Sequence, residues 1–331
     1  MTVAPRSFVE EARRQKLDAL RELGIEPFAY AFDRTHTASE AVASYRAGEG
    51  VTVRVAGRLV ALRGHGKTIF AHLADQSGRV QLYFRWDELG EATYRLAKLL
   101  DLGDHVGVAG GMFETKTGEV TLRATELKLL AKALRPLPLG KEDARGEQHG
   151  VLSDRERRYR QRYVDLAVHP DRRDTFLLRA RVIAYLRRFL DQRGYVEVET
   201  PVLQPVYGGA LARPFTTHYR ALDARFYLRI ATELYLKRCI IGGMERVYEI
   251  GKDFRNEGID RFHNPEFTML EFYEAYADYG RMMELVEELV HSLVVEVSGS
   301  AVVERFGKRF DFTAPWPRVA YVDLVRQHAG V

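Results

Sequence analysis

The hydrophobic pattern of this chain changes period twice, and that change narrows what it can fold into more than any other feature. Over residues 7–23 (SFVEEARRQKLDALREL) apolar side chains recur at helical spacing, at Phe8, Ala12, Leu17 and Leu20. Ser7 suits an N-cap with Glu10 three residues on, and Gly24 suits the stop. From about residue 51 to 131 the period falls to two, through VTVRVAGRLVALR, KTIFAHLAD and RVQLYFR, then DHVGVAGGMFE and EVTLRATELKLL. Side chains alternate across a strand, so these segments, rich in Val, Ile, Phe and Tyr, read as half-buried strands. Gly64-His65-Gly66, Gln76-Ser77-Gly78 and Lys116-Thr117-Gly118 mark turns between them.

A helical stretch at 87–100 splits the strands three and two, the element order of a small Greek-key OB barrel. Pro136 and Pro138, then the polar KEDARGEQHG (141–150), predict a linker. The expected organisation is a helical extension over 1–50, a barrel over 51–135, a linker over 136–152 and a mixed α and β domain over 153–331.

A length of 331 residues with 46% hydrophobic and 29% charged content allows two globular cores. The stretch Leu285 to Val297 is interrupted by Glu287, Glu288 and His291 and reads as an amphipathic helix. No apolar run approaches the ~20 residues of a membrane span, so no membrane partner is expected and a cytoplasmic location is. The single cysteine, Cys239, cannot form an internal disulfide. A net charge of +4 is compatible with a polyanionic partner. In SDRERRYRQR (153–162), Arg155, Arg157, Arg158, Arg160 and Arg162 face only Asp154 and Glu156, a pattern that also suits a solvated helix with internal ion pairs.

Beyond the linker, a helix over 172–193 stops at Gly194 and leads into YVEVETP, which Pro201 terminates. RVYEIGKDFRNE (246–257) and PEFTMLEFYEAY (265–276) read as strands joined by the polar GIDRFHN, hence antiparallel. Alternation puts Arg255 and Glu257 on one face of the first strand, and Phe267, Met269, Glu271 and Tyr273 on one face of the second. Phe254, Leu270 and Phe272 take the opposite, packing side. A face mixing charges with aromatics is either an exposed hairpin with an Arg–Glu pair, worth about 0.2–1 kcal/mol, or a ligand platform. On a platform the ring stacks a base, the Arg neutralises phosphate and the carboxylates hold cations.

FRNEG at 254–258 followed by HNPEFTMLEFY at 263–273 strongly resembles motif 2 of class II aminoacyl-tRNA synthetases, and the helix plus YVEVETP resembles their dimer-forming motif 1. GGALARPF (208–215) and YLRIATELYLKR (227–238) are similar to the lysine-specific members rather than the aspartate or asparagine relatives. KTGE (116–119) and KALRPLP (132–138) are similar to the lysine enzymes' anticodon-binding domain. The resemblance covers nearly the whole chain. It implies an α+β protein, an N-terminal OB-fold β-barrel plus an incomplete class II antiparallel-sheet catalytic domain. It also implies the activity: ATP and L-lysine form lysyl-adenylate, whose lysine passes to tRNA(Lys), with Mg²⁺ as cofactor and a homodimer built through motif 1.

Residue by residue, Arg255 matches the motif 2 arginine that bridges the ATP α-phosphate and the attacking lysine carboxylate. Glu257 matches an acceptor for the adenine amino group, His263 and Asn264 lie in the loop over ATP, and Phe267 matches the ring stacked on adenine. Gly209 and Glu233 match contacts to the lysine α-amino group, Glu271 and Tyr273 those to its ε-ammonium. In the barrel, Phe70, Gln81 and Glu119 match positions that read a uridine-rich anticodon, and Arg58 and Arg63 are implied as backbone contacts. The Arg-rich 155–162 segment becomes a tRNA or interdomain contact.

The pattern also departs from the family. Motif 3, with its second ATP-binding arginine, has no match in these residues, nor do the later acidic residues that hold Mg²⁺, so no metal ligand is assigned. We therefore expect the sequence to be incomplete and nearly inactive alone in lysine-dependent ATP–pyrophosphate exchange. Phe262 separates Arg261 from His263 where relatives place Arg directly before His, and Thr232 stands where Pro is usual. The alternatives are a catalytically inactive tRNA-binding fragment or paralogue, and a paralogue that lysylates a protein, against which the barrel argues.

Overall fold

The structure, a computed structural model, describes residues 7–47, 50–142 and 148–329, in two units that divide between Arg173 and Asp174. In the first unit α1 (Phe8–Glu22) and α2 (Ala38–Ser44) precede β1 (Thr52–His65), β2 (Thr68–Ala74), β3 (Arg79–Arg85), α3 (Trp86–Leu99), β4 (His105–Glu114) and β5 (Val120–Ala131). The strands close into a barrel in the order β1-β2-β3-β5-β4, antiparallel except where β3 meets β5. This is the expected OB-fold domain. Ile69, Ala71 and Leu73 of β2 and Val80, Leu82 and Phe84 of β3 point inward and are at most 6% exposed. Burying a large apolar side chain of this kind stabilises by about 1.5–3 kcal/mol. The alternate residues Phe70, His72, Gln81 and Tyr83 point outward.

Helix α1 starts as expected, with Ser7 Oγ accepting from the Glu10 N–H at 3.3 Å. Its inner stripe differs. Leu17 and Leu20 are buried, but Phe8 is 88% exposed and Arg13 turns inward instead. The Arg13 guanidinium donates to the carbonyls of Ala133, Arg135 and Leu102, which the barrel leaves without strand partners. Nearby, Lys132 has a fully buried side chain that donates to Asp101 and Asp104 at 2.6 and 2.7 Å. Lys16 reaches the same Asp101 from α1 at 2.6 Å.

The stretch expected to be a polar linker carries a strand pair, β6 (Leu139–Glu142) with β7 (Gln148–Val151), and residues 143–147 lie outside the described residues. The arginine-rich segment forms α4 (Arg155–Arg160) and enters α5 (Arg162–Val168). Several of its charges are internally paired: Arg160 with Glu156 at 2.7 Å, and Arg158 and Arg162 with the buried Asp165, which His169 also contacts. Helix α6 (Asp171–Asp191) follows and runs across the division between the units.

The second unit adds β8 (Val196–Glu197), β9 (Leu203–Gln204), β10 (Thr216–Tyr219), β11 (Ala224–Leu228), α7 (Glu233–Ile241), β12 (Arg246–Phe254) and β13 (Glu266–Glu274). Then come α8 (Tyr279–Ser298), β14 (Val302–Arg305), β15 (Lys308–Asp311) and α9 (Tyr321–Ala329). β12 lies between antiparallel β13 and parallel β8. Tyr248, Ile250, Leu270 and Phe272 pack against Phe189 and Leu190 of α6 and Leu285 and Leu289 of α8. One face of the hairpin is thereby committed to the core. Its other face is available for chemistry.

Candidate functional site

The register of β12 on β13 pairs Val247 with Tyr273, Glu249 with Glu271, Gly251 with Met269 and Asp253 with Phe267. These residues share the face opposite the core. β12 ends at Phe254, short of the expected Glu257. The Arg255 N–H still donates to the Pro265 carbonyl at 2.8 Å, so Arg255 keeps the parity of the floor. Its guanidinium lies 5.0 Å from the centroid of the Phe267 ring. Tyr273 donates its hydroxyl to Glu271 at 3.3 Å. Burial, then Glu271 and Glu233, push the Tyr273 hydroxyl pKa up, which keeps it a neutral donor.

Glu233 opens α7 and pairs with Lys237 at 2.5 Å. Gly209, at φ +88°, closes on it: a Cβ there would sit 3.0 Å from Glu233 Cβ and 3.1 Å from Ala231 Cβ. That position needs both the left-handed backbone and the missing side chain of glycine. Arg255, Phe267, Glu271, Tyr273, Glu233 and Gly209 are thus brought together.

Three expected residues stand apart. Glu257 lies past the paired strands and accepts from the Arg213 N–H at 3.3 Å. The His263 side chain is 76% exposed, with Nδ1 2.7 Å from Asp260 Oδ2, and Asn264 is exposed. Asp260 also accepts from the N–H groups of Phe262 and His263 at 2.7 and 2.9 Å. A carboxylate folded onto its own loop in this way satisfies local donors.

Sequence reasoning missed a buried ionic group on the same face. Arg229, 2% exposed, pairs with Glu249 at 2.5 Å and donates to the carbonyls of Lys252 and Thr200 at 2.8 and 3.1 Å. Gly251 leaves room for it, since a Cβ there would lie 2.0 Å from Arg229 Nη2. The other oxygen of Glu249 accepts from the Thr200 hydroxyl at 2.6 Å. The Arg229 carbonyl receives the Phe254 N–H at 2.9 Å, and the next carbonyl, Ile230, receives Arg255 Nε at 3.4 Å. Asp253, fully buried, lies 3.3 Å from Arg229 Nε, yet neither of its oxygens has hydrogen-bond geometry. Burial raises its carboxyl from 3.8 to about 6; Arg229 opposes the rise and Glu271 adds to it. The strand parity that selected Arg255 also runs through Asp253 and Glu249, and Arg229 is a lone charge inside FYLRIA.

On the barrel, Phe70 stands opposite Tyr83 and His72 opposite Gln81. The Phe70 and Tyr83 rings are 4.8 Å apart and Tyr83 and Phe113 5.8 Å, with Arg123 4.6 Å over Phe113. They border a cavity of about 620 Å³ that Arg63 and Lys116 also line. Gln81 Nε2 donates to Glu119 at 2.5 Å. Arg58 does not join this face. It pairs in register with Ala74 and His105 and donates to the Gly103 carbonyl at 3.0 Å, because that carbonyl needs a partner where the barrel turns.

Two family models match. One described as tRNA synthetases class II (D, K and N) covers residues 154–331, and one described as an OB-fold nucleic acid binding domain covers residues 53–130. Similar curated proteins include a lysine–tRNA ligase of Carboxydothermus hydrogenoformans, 50% identical over 321 residues. Others are the lysine–tRNA ligases of Syntrophomonas wolfei, 50% identical over 325 residues, and Clostridium botulinum, 51% over 332. These alignments cover 97 to 98% of this chain and 64% of each relative, so the chain spans about 64% of the length of the relatives it matches.

Proposed function

Because this chain belongs to the class II tRNA synthetases of the D, K and N group, we propose that it carries the amino-acid-activating floor and the anticodon-reading barrel of a lysine–tRNA ligase. In this reading adenine stacks on Phe267, Glu257 accepts from its amino group, and His263 and Asn264 move in over the phosphates. Arg255 bridges the α-phosphate and the lysine carboxylate; its planar, permanently charged fork suits both. A carboxylate oxygen attacks the α-phosphorus, the bond to the bridging oxygen breaks, and pyrophosphate leaves with the electron pair. The terminal ribose hydroxyl of tRNA then attacks the acyl carbon and AMP departs. Such steps depend on positioning and on stabilising phosphate charge.

Glu271 and Tyr273 hold the ε-ammonium, and Glu233 with the backbone at Gly209 holds the α-ammonium. A desolvated carboxylate left unpaired by a neutral side chain discriminates strongly. The observation that carries the reading is the single sheet face on which Arg255 meets Phe267 at 5.0 Å and Tyr273 meets Glu271 at 3.3 Å. Calorimetric titration with L-lysine and with norleucine tests it. Lysine binds and norleucine does not, and Glu271→Gln loses lysine binding by about 10-fold or more; equal binding of the two amino acids refutes the reading.

The same proposal gives the barrel face to tRNA(Lys), with Arg63 on the RNA backbone and Phe70, Gln81 and Glu119 on the bases. It assigns the chain to the cytoplasm and to a homodimer through α6, whose Phe176, Leu177 and Leu178 are 48, 43 and 42% exposed. It retains residues 51–135 as the anticodon-binding domain and 153–331 as catalytic. Mg²⁺ accompanies ATP as counter-ion. Among the described residues no group of three or more His, Cys, Asp or Glu is placed to hold a metal.

A further inference from the structure

The barrel face holds a hydrogen-bonded chain that the assignment of Phe70, Gln81 and Glu119 does not absorb. The Thr121 hydroxyl lies 2.7 Å from Gln81 Oε1 and 3.0 Å from the Glu119 carbonyl. Gln81 Nε2 lies 2.5 Å from Glu119 Oε2, and His72 Nε2 lies 2.9 Å from Glu119 Oε1. An ionised carboxylate only accepts, so both nitrogens donate to it. That requirement turns the Gln81 amide with its N–H₂ toward Glu119 and its oxygen toward Thr121, and it places a proton on His72 Nε2. One Gln81 N–H and the remaining Glu119 lone pairs stay unused, and Gln81 shares the cavity wall with the tilted rings of Phe70 and Tyr83. The face therefore presents a donor next to an acceptor, in a fixed order.

We infer that His72 and Thr121 are positioning residues that lock Gln81 and Glu119 in the donor–acceptor order complementary to the Watson–Crick edge of uridine. Uracil offers a carbonyl acceptor and, adjacent to it, the N3–H donor. Cytosine offers the reverse, an amino donor and the N3 acceptor, and so leaves both protein groups facing like groups. Guanine repeats the uracil order on a larger ring, and the aromatic faces set how much ring can stack. The cations that line the cavity, Arg63, Arg85, Lys116 and Arg123, meet phosphate whatever the base, so discrimination falls to the locked pair. The inference rests on reading this face as the anticodon-binding surface.

Fluorescence anisotropy of the full 331-residue chain is measured with an RNA hairpin carrying a uridine-rich loop and with the same hairpin carrying cytidines in the loop. The expected result is a preference for uridine that falls by about 10-fold in His72→Ala. His72→Gln, whose amide N–H reaches Glu119, restores most of it. Thr121→Val lowers the preference by about 3-fold. The His72 side chain is 25% exposed and on the outer face, so His72→Ala leaves the barrel folded. An unchanged preference in His72→Ala, alongside weakened binding in Phe70→Ala, overturns the lock and leaves the anticodon reading standing. A parent chain that binds neither hairpin, or whose affinity is unchanged in Phe70→Ala, removes the anticodon reading and the lock with it.

Discussion

Glu271 stands directly across from Glu249 in the register of β12 and β13, an arrangement that opposes folding unless something else holds it. Glu249 is neutralised by Arg229 at 2.5 Å, whereas Glu271 has the Tyr273 hydroxyl at 3.3 Å. The sheet thus tolerates a carboxylate suited to a cationic ligand. We predict that Glu271→Gln raises the urea midpoint of the unliganded chain by up to about 1 kcal/mol in stability while it weakens lysine binding. A variant less stable than the parent would show that Glu271 supports the fold rather than a ligand.

Asp253 makes the same tension visible in its titration. Its folded-state carboxyl titrates at about 6, above the ordinary 3.8. As pH rises the unfolded chain therefore releases this proton first, and the folded state loses stability from about pH 4 to about pH 6, by at most about 3 kcal/mol. Asp253→Asn is predicted to be more stable than the parent near pH 7, with the difference vanishing below about pH 4. Denaturation across that range checks it, and a pH-independent difference would exclude this cause. The parity rule that placed Arg255 and Glu271 on one face was legible in sequence and already included Asp253 and Glu249. Their partner, Arg229, was not legible, because β11 and the residues after it reach β12 only through the tertiary fold.

At the scale of elements, alternation located the strands to within a few residues, because inward and outward faces of a barrel differ in solvent. The inner face of α1 escaped the same logic. Periodicity counts apolar side chains, and Arg13 is buried for its donors, which satisfy carbonyls at Ala133 and Leu102 at 2.8 and 2.9 Å. Arg13→Ala is predicted to release α1 while β1 to β5 stay intact. Hydrogen exchange would then show rapid exchange of α1 amides beside protected strands, and unchanged α1 protection would contradict the latch. Lys132→Ala should act on the barrel itself, since it leaves the Asp101 and Asp104 carboxylates around an empty site. Removing one member of a buried ion pair costs about 3–5 kcal/mol, readable in urea unfolding.

At the scale of the whole molecule, charge and closure were legible to different degrees. The five-stranded order was readable, and likeness to a family pointed to Phe70, Gln81 and Glu119 as the proposed base contacts. His72 and Thr121 were not found, because Gln81 meets Thr121 only where β3 and β5 pair in parallel to close the barrel. A net charge of +4 said nothing of where the cations gather. Arg63, Lys116 and Arg123 border the cavity, whereas Arg58 is engaged with the Gly103 carbonyl. Salt dependence separates these roles. Each cation that meets a phosphate of single-stranded RNA contributes about 0.7 to the slope of log affinity against log salt. Arg63→Ala should reduce that slope by about this amount and weaken uridine and cytidine hairpins alike. Phe70→Ala should lower affinity with the slope unchanged, because stacking releases no counter-ion. Arg58→Ala should leave the slope unchanged and lower barrel stability instead, since the buried Gly103 carbonyl loses its donor. A slope reduced equally by Arg58→Ala and Arg63→Ala would mean that the RNA path extends around the barrel past β4, and Arg58 would rejoin the binding surface.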